Sequence, residues 1–244
     1  MPLGLIGIGV GTAILPSLSR QISSGDTAAA RHTQNRAMEL ALLLALPAAV
    51  ALVVSATPLV RGVFQHGAFT AADTIGASGA LAAFSLGVPA YVLIKVLTPG
   101  FYARQDTKTP VRLAVVSMLV NLAGNLLSVL VLDAGFVGIA LSTALAAWVN
   151  VALLYAALHR RDHLQLDARF KAKSIRIIGA SMAMGAVLFA LNPWLDPYMG
   201  GAWEARVTAL VALCGIGGAV YGVTVLLLGG ASLGELRRQF TRKS

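Results

Sequence analysis

The polar residues that interrupt long apolar runs are where this sequence could do chemistry. Asn121 and Asn125 are one helical turn apart and share a face, with Ser117 and Ser128 on a similar stripe. Ser142, Thr143 and Asn150 occupy the next apolar run, beyond a tight Asp133-Ala-Gly135 turn, and are placed to face that stripe. Carboxamides and hydroxyls so arranged serve either as a polar cavity wall or cation site, or as hydrogen bonds between helices. Lys95 is a full charge well inside an apolar run, where an ionisable group points to function. One turn before Pro99, it is also placed to extend its ammonium to the surface. Glu39 stands near the start of another run, within reach of Arg36 or of a basic group on a neighbouring helix.

The most polar and turn-rich segment, Thr98 to Arg112, sets Arg104, Asp106 and Lys108 between two apolar runs. Pro99-Gly100 is expected to stop one helix and Thr109-Pro110 to begin the next. These charges fit either a gate or latch, with Asp106 as an internal partner for the basic loop, or the anchor of two helices. No catalytic constellation accompanies them. His32, His66, His159 and His163 lack metal-ligand spacing, and no glycine-rich phosphate loop precedes a Lys-Ser/Thr pair. The i,i+4 pair His159 and His163 lies among Arg160, Arg161 and Asp162 and reads as solvated. Cys214 is the one cysteine, so no internal disulfide is possible. The pattern implies no enzyme, cofactor or metal centre.

The elements that hold these residues are membrane helices. Of 244 residues, 57% are hydrophobic and 12% charged, with a mean hydropathy of +0.77, too apolar for an ordinary soluble domain. A formal net charge of +9 invites a nucleic-acid reading, but the cations form short clusters between apolar runs and no continuous basic face. A bilayer core of about 30 Å takes roughly 20 residues of helix. Seven runs approach that length: 3–18, 37–60, 74–98, 111–132, 136–158, 174–191 and 205–228. The first is short, lacks a basic segment before it, and is expected to begin partway through a helix rather than to be a signal peptide. Pro47 and Pro89 are expected to kink their helices.

All the lysines and arginines except Arg61, Lys95 and Arg206 fall on one side of the expected spans. That asymmetry predicts an N-terminal end on the outer side of the membrane and a cytoplasmic C-terminal tail. The segment His159 to Arg176 is basic, with Leu164, Leu166 and Phe170 interleaved. It fits either an element lying on the anionic inner leaflet or a solvated linker.

Pro99-Gly-Phe-Tyr-Ala-Arg-Gln-Asp-Thr-Lys-Thr-Pro-Val111 closely resembles the loop between the tenth and eleventh helices of the MurJ (MviN) lipid II flippases. Gly9 to Arg20, Leu44 to Leu52 and Phe64 to Asp73 agree with that family in order and spacing, so the resemblance covers about residues 4–160. It implies the all-α, polytopic helix bundle of the multidrug/oligosaccharidyl-lipid/polysaccharide exporter superfamily. Full-length members have fourteen spans, in two lobes of six plus two C-terminal helices that line a groove for the lipid tail. On this view residues 1–160 are the remainder of the second lobe, from the eighth span onward. Residues 161–244 are then a basic cytoplasmic linker, the two C-terminal helices and a tail.

The implied activity is bacterial cell-wall biogenesis in the inner membrane. The undecaprenyl-diphosphate-linked peptidoglycan precursor would pass from cytoplasmic to periplasmic leaflet by alternating access, coupled to an ion gradient or membrane potential. Its implied partners are that precursor, membrane lipids and cell-wall synthesis proteins. A related polysaccharide-lipid or drug exporter and a non-transporting scaffold for cell-wall enzymes are the alternatives. In some members a sodium site uses an Asn and an Asp four apart on the eleventh helix and a Thr on the twelfth. Asn121 and Asn125 match the spacing and Ser142 or Thr143 approximates the last ligand, but Asn stands where that site has Asp. An anionic ligand is lost, and sodium binding is not expected.

Overall fold

The computed structural model describes residues 14–65 and 67–230, and all regular structure among them is helical. After α1 (14–23) come α2 (Thr27–Val54), α3 (Ala56–Phe64), α4 (Ala71–Ser85), α5 (Val88–Leu97) and α6 (Pro99–Tyr102). They are followed by α7 (Lys108–Leu130), α8 (Gly135–Arg160), α9 (Ala168–Met199) and α10 (Trp203–Leu227). Among the described residues six helical segments are long and apolar enough to cross a membrane, with α4 to α6 acting as one bent segment over Ala71–Tyr102. They correspond to the second through seventh expected spans. Most of the expected 3–18 span, and the basic tail from residue 231, lie outside the described residues.

Local capping moves several boundaries. Helix α2 begins at Thr27 rather than near residue 37, because the Asp26 carboxylate accepts the Ala29 N–H at 2.9 Å. Likewise Asp167 accepts the Phe170 N–H at 2.6 Å and starts α9 at Ala168, before the expected 174. Helix α9 then continues past the expected end at 191, through Pro193 and Pro197, to Met199. Pro99-Gly100 does not stop its helix; the chain stays helical to Tyr102 and turns where Gln105 adopts φ 59°. Pro89 does mark a break, at Leu86–Gly87, and stands in the first turn of α5. Pro47, expected to kink α2, lies inside a continuous helix, and the interruption comes later, at Ser55.

The prolines act through the carbonyls they release. A proline donates no N–H to the carbonyl four residues earlier, and in hydrocarbon that oxygen needs another donor. Pro47 releases the Leu43 carbonyl, which accepts the Tyr221 hydroxyl of α10 at 2.6 Å. Pro58 releases the Val54 carbonyl, which accepts the Asn192 amide of α9 at 2.9 Å, and the Ser55 hydroxyl donates to the same Asn192 at 3.4 Å. The C-terminal helices are thus bonded to α2 at two levels. An apolar cluster, with Met38, Leu42, Leu93, Val96, Phe101, Leu154 and Leu158, packs α2, α5, α6 and α8 together.

Replacing Tyr221 by Phe should destabilise the protein by about 1–3 kcal/mol, the cost of a buried acceptor left unpaired. In a Pro47→Ala background Leu43 regains its helical donor, so the same replacement should cost much less. Chemical unfolding of the four proteins of this cycle, in detergent micelles, measures the difference.

Candidate functional site

One end of the bundle is a network of arginines and carboxylates. Residues 161–167, between α8 and α9, lie across the start of α2. The Arg31 guanidinium donates to the Asp162 carbonyl at 2.6 Å and to its carboxylate at 2.5 Å. The Asn35 amide donates to the Gln165 carbonyl at 2.8 Å, and Arg36 is paired with both Asp167 and Glu39. Glu39 is buried, and its second oxygen lies 3.8 Å from both Arg169 and Lys173 on α9. The same strap reaches the turn before α7, where Arg161 donates to the Asp106 carboxylate at 2.6 Å and to the Thr109 hydroxyl at 3.1 Å.

The expected internal partner for the 98–112 loop is therefore replaced. Asp106 binds Thr109 through both N–H (2.9 Å) and hydroxyl (2.6 Å) and takes its ion pair from Arg161, not from Arg104 or Lys108. Arg104 donates to the Gly100 carbonyl at 2.6 Å, and Lys108 is exposed. Leu164, one of the residues offered above for the leaflet surface, is fully buried, and Leu166 and Phe170 pack on the same core. The apolar residues of this segment anchor it to the protein. His159 stacks on Tyr155 at 5.6 Å between ring centroids, with Nδ1 3.2 Å from the Leu164 carbonyl.

The Thr109 hydroxyl and N–H, with Arg161, hold the Asp106 carboxyl well below the usual carboxylate range. Arg31 and Gln165 lower Asp162 in the same way. These carboxylates stay ionised, and their bonds intact, until pH falls below the ordinary range of about 4. His163 behaves differently: burial, then Arg104, Arg161 and Arg31, lowers its pKa. The unfolded chain binds that proton near pH 6.5 and the folded chain only below it, so stability is full above that value and falls as pH drops through it. Melting curves between pH 7.5 and 5.5 should show the parent protein losing more stability than His163→Gln.

The polar stripe is an interhelical network. The Asn121 amide donates to the Thr143 hydroxyl at 3.0 Å, and the Asn125 amide donates to the Asn121 carbonyl oxygen at 3.0 Å. Ser117 donates to the Ala146 carbonyl at 2.6 Å, while Ser128 and Ser142 lie 3.2 Å apart. Ser142 thus stands with Ser128 and Gly138, apart from the Asn121–Asn125–Thr143 group. Glycines make this approach possible: a Cβ on Gly124 would come 2.8 Å from the Ser142 hydroxyl, and one on Gly138 2.7 Å from the Ser128 side chain. Asn150 lines a separate cavity of about 160 Å³ with Thr98, Tyr102 and Pro110. Lys95 is half-buried on α5.

A larger cavity of about 470 Å³ runs between α2, α5, α8 and α9, walled by side chains such as Leu46, Val53, Pro89, Trp148, Met182 and Phe189. Its wall is almost wholly carbon, and the Trp148 indole N–H is turned away to the Leu86 carbonyl at 3.0 Å. Phe189 and Met182 are 72% and 61% exposed, so the groove is open at the side. Met182 lines it, Met184 is packed in an apolar core cluster, and Cys214 is exposed on α10 outside it. Gly185 fixes the approach of α9 to α2, since a Cβ there would meet the Val50 side chain at 2.6 Å. Gly185→Ala should therefore destabilise by about 1–3 kcal/mol. Adding Val50→Ala should recover most of that loss, as read by unfolding in micelles.

The comparisons match this architecture. The sequence profile described as lipid II flippase MurJ matches residues 1–205. The chain belongs to the MurJ family. It is 39% identical over its whole length to a probable lipid II flippase MurJ of Rhizobium tropici, of which it spans 46%. It is 36% identical over 93% of its length to one from Haemophilus influenzae, of which it spans 45%. A solved structure of lipid II flippase MurJ in an inward closed conformation superposes with a TM-score of 0.72 at 25% identity, covering 93% of this chain and 44% of the other. The chain thus spans about half the length of the MurJ relatives it matches, as the resemblance to a C-terminal portion implies. Six apolar helices in a MurJ-family chain make this a multi-pass membrane protein.

The Arg36–Glu39 pair offered by the sequence is present, but sequence patterns left Arg31, Arg161, Asp162, Asp167 and Trp148 unassigned. A signal was present for the first four: Asp106, Asp162 and Asp167 are isolated acids in otherwise basic loops, and each needs a basic partner. Trp148 carried none, because an indole in an apolar run reads as packing.

Proposed function

We propose that this chain is the C-terminal portion of a flippase for the lipid-linked peptidoglycan precursor lipid II, acting by alternating access. The observation that carries the proposal beyond family membership is the laterally open, carbon-walled groove between α2, α5, α8 and α9. A diphosphate-sugar head cannot cross hydrocarbon unshielded, whereas a polyprenyl tail has no reason to leave it. A protein that moves such an amphiphile needs a polar path for one part and an apolar track open to the bilayer for the other. The groove suits the second task.

On this reading the basic end, with Arg31, Arg36, Arg104, Arg161 and Arg169, faces the cytoplasm of a bacterial inner membrane, as the positive-inside rule requires. Transport is driven by an ion gradient or by the membrane potential, which supplies about 2.3 kcal/mol per elementary charge per 100 mV. Arg104, Asp106 and Lys108 belong to the cytoplasmic gate region, and Glu39 lies behind it. Asn121, Asn125, Thr143 and Ser142 hold α7 to α8, while Lys95 and Asn150 are candidate cavity residues.

Two measurements test the proposal. Depleting the parent gene should reduce lipid II exposed on the outer leaflet, and unchanged exposure would overturn it. Photo-crosslinkers at Met182 and Phe189 should capture a polyprenyl-linked lipid from growing cells; labelling of bulk phospholipid alone would count against the groove as the tail track.

A further inference from the structure

The C-terminal helix pair is fastened to α2 by two physically different kinds of bond. Inside the bundle, Tyr221 and Asn192 bind carbonyls that prolines have left without a helical donor. Breaking either bond leaves a bare oxygen with no water to replace the donor, so these fastenings are permanent. At the basic end, beside the buried Glu39 with Arg169 and Lys173 and the buried Leu164, the fastenings are ion pairs within reach of water. The side chains of Arg31 and Asp162 are 26% and 65% exposed, and those of Arg161 and Asp106 46% and 25%. Arg36 and Asp167 are 20% and 36% exposed. When such a pair separates both partners hydrate, and salt screens the attraction.

The pairs also converge on one short segment. Residues 161–167 touch the first turns of α2 through Arg31, Asn35 and Arg36, and the turn before α7 through Asp106 and Thr109. They end at Asp167, whose carboxylate both caps α9 and pairs with Arg36. Asp162, near the start of the segment, adopts φ 57°, a left-handed conformation that Asp and Asn accept at low cost. One segment of seven residues therefore ties together the ends of α2, α7, α8 and α9.

We propose that residues 161–167 form a releasable clasp, whose ion pairs Arg31–Asp162, Arg36–Asp167 and Arg161–Asp106 lock the basic ends of these helices together. When the clasp opens, the first turns of α9 and of α2 separate while the Tyr221 and Asn192 bonds keep the helix pair seated deeper in the bundle. The inference is independent of what the protein transports.

Spin-label distances in the purified protein in lipid nanodiscs test it, in a Cys214→Ala background. One label pair, Ala28→Cys with Ala172→Cys, uses exposed positions beside the clasp. The other, Leu44→Cys with Ile178→Cys, uses exposed positions at the level of the Tyr221 bond and serves as the internal reference. The clasp is weakened by Asp162→Asn together with Asp167→Asn, which keep the left-handed turn and the helix cap while removing both charges. The expected result is a narrow first-pair distribution at low salt. It should broaden and lengthen in the double variant, and in the parent at about 1 M salt, where the screening length is about 3 Å. The reference pair should stay unchanged. An unmoved first pair would overturn the clasp, and so would equal loosening of both pairs, which would mean general release of the helix pair.

Discussion

The register of the C-terminal helices within the bundle depends on two carbonyl oxygens of α2 that its own backbone cannot satisfy. Pro47 and Pro58 remove the N–H groups that Leu43 and Val54 would otherwise receive, and hydrocarbon provides no water in their place. Tyr221 and Asn192 are the donors that meet them. The bonds are directional and cannot slide, so they fix the register of α9 and α10 against α2. Apolar contact alone does this poorly among lipid tails that are equally apolar. The groove then follows: with α10 held to α2 by Tyr221, α9 is held to it by Asn192 and touches it closely at Gly185, and an open channel is left toward Trp148 and Pro89.

The bundle divides by solvent into a part that is locked and a part that is balanced. In the apolar middle the polar bonds are made between near neighbours, as Asn121 bonds Thr143 and Ser117 the Ala146 carbonyl, because water offers no alternative there. At the basic end water is an alternative for the pairs made by residues 161–167, which sit close to equilibrium with it. A protein that must both hold its helices in register and change shape has reason to place its fixed bonds in the first setting and its exchangeable ones in the second.

The long helices were legible because about 20 consecutive apolar residues have few other uses, and the α7–α8 hairpin was placed to within a few residues by its Asp-Ala-Gly turn. Helix ends were less legible where a cap outweighed hydropathy: Asp26 and Asp167 start α2 and α9 among polar residues that a hydropathy scan rejects. The bond that answers Pro47 was not legible, because a kink is a local expectation, whereas the compensating hydroxyl comes from a helix far along the chain. The family was legible from short motifs around Pro99 to Val111. The partners of Asp106, Asp162 and Asp167 were not, since which arginine meets which carboxylate is decided by the packing of α2 against α8 and α9.

The proline-released carbonyls also set a problem of timing during synthesis. Leu43 waits 178 residues for Tyr221, and Val54 waits 138 for Asn192. At translation rates of about 5–20 residues per second the first interval lasts roughly 9–36 s. For that period α2 carries oxygens that lipid cannot solvate, so it must remain beside water or a temporary donor until the last helices are made. The helix pair at the end of the chain is therefore what allows the first long described helix to settle fully into the bilayer.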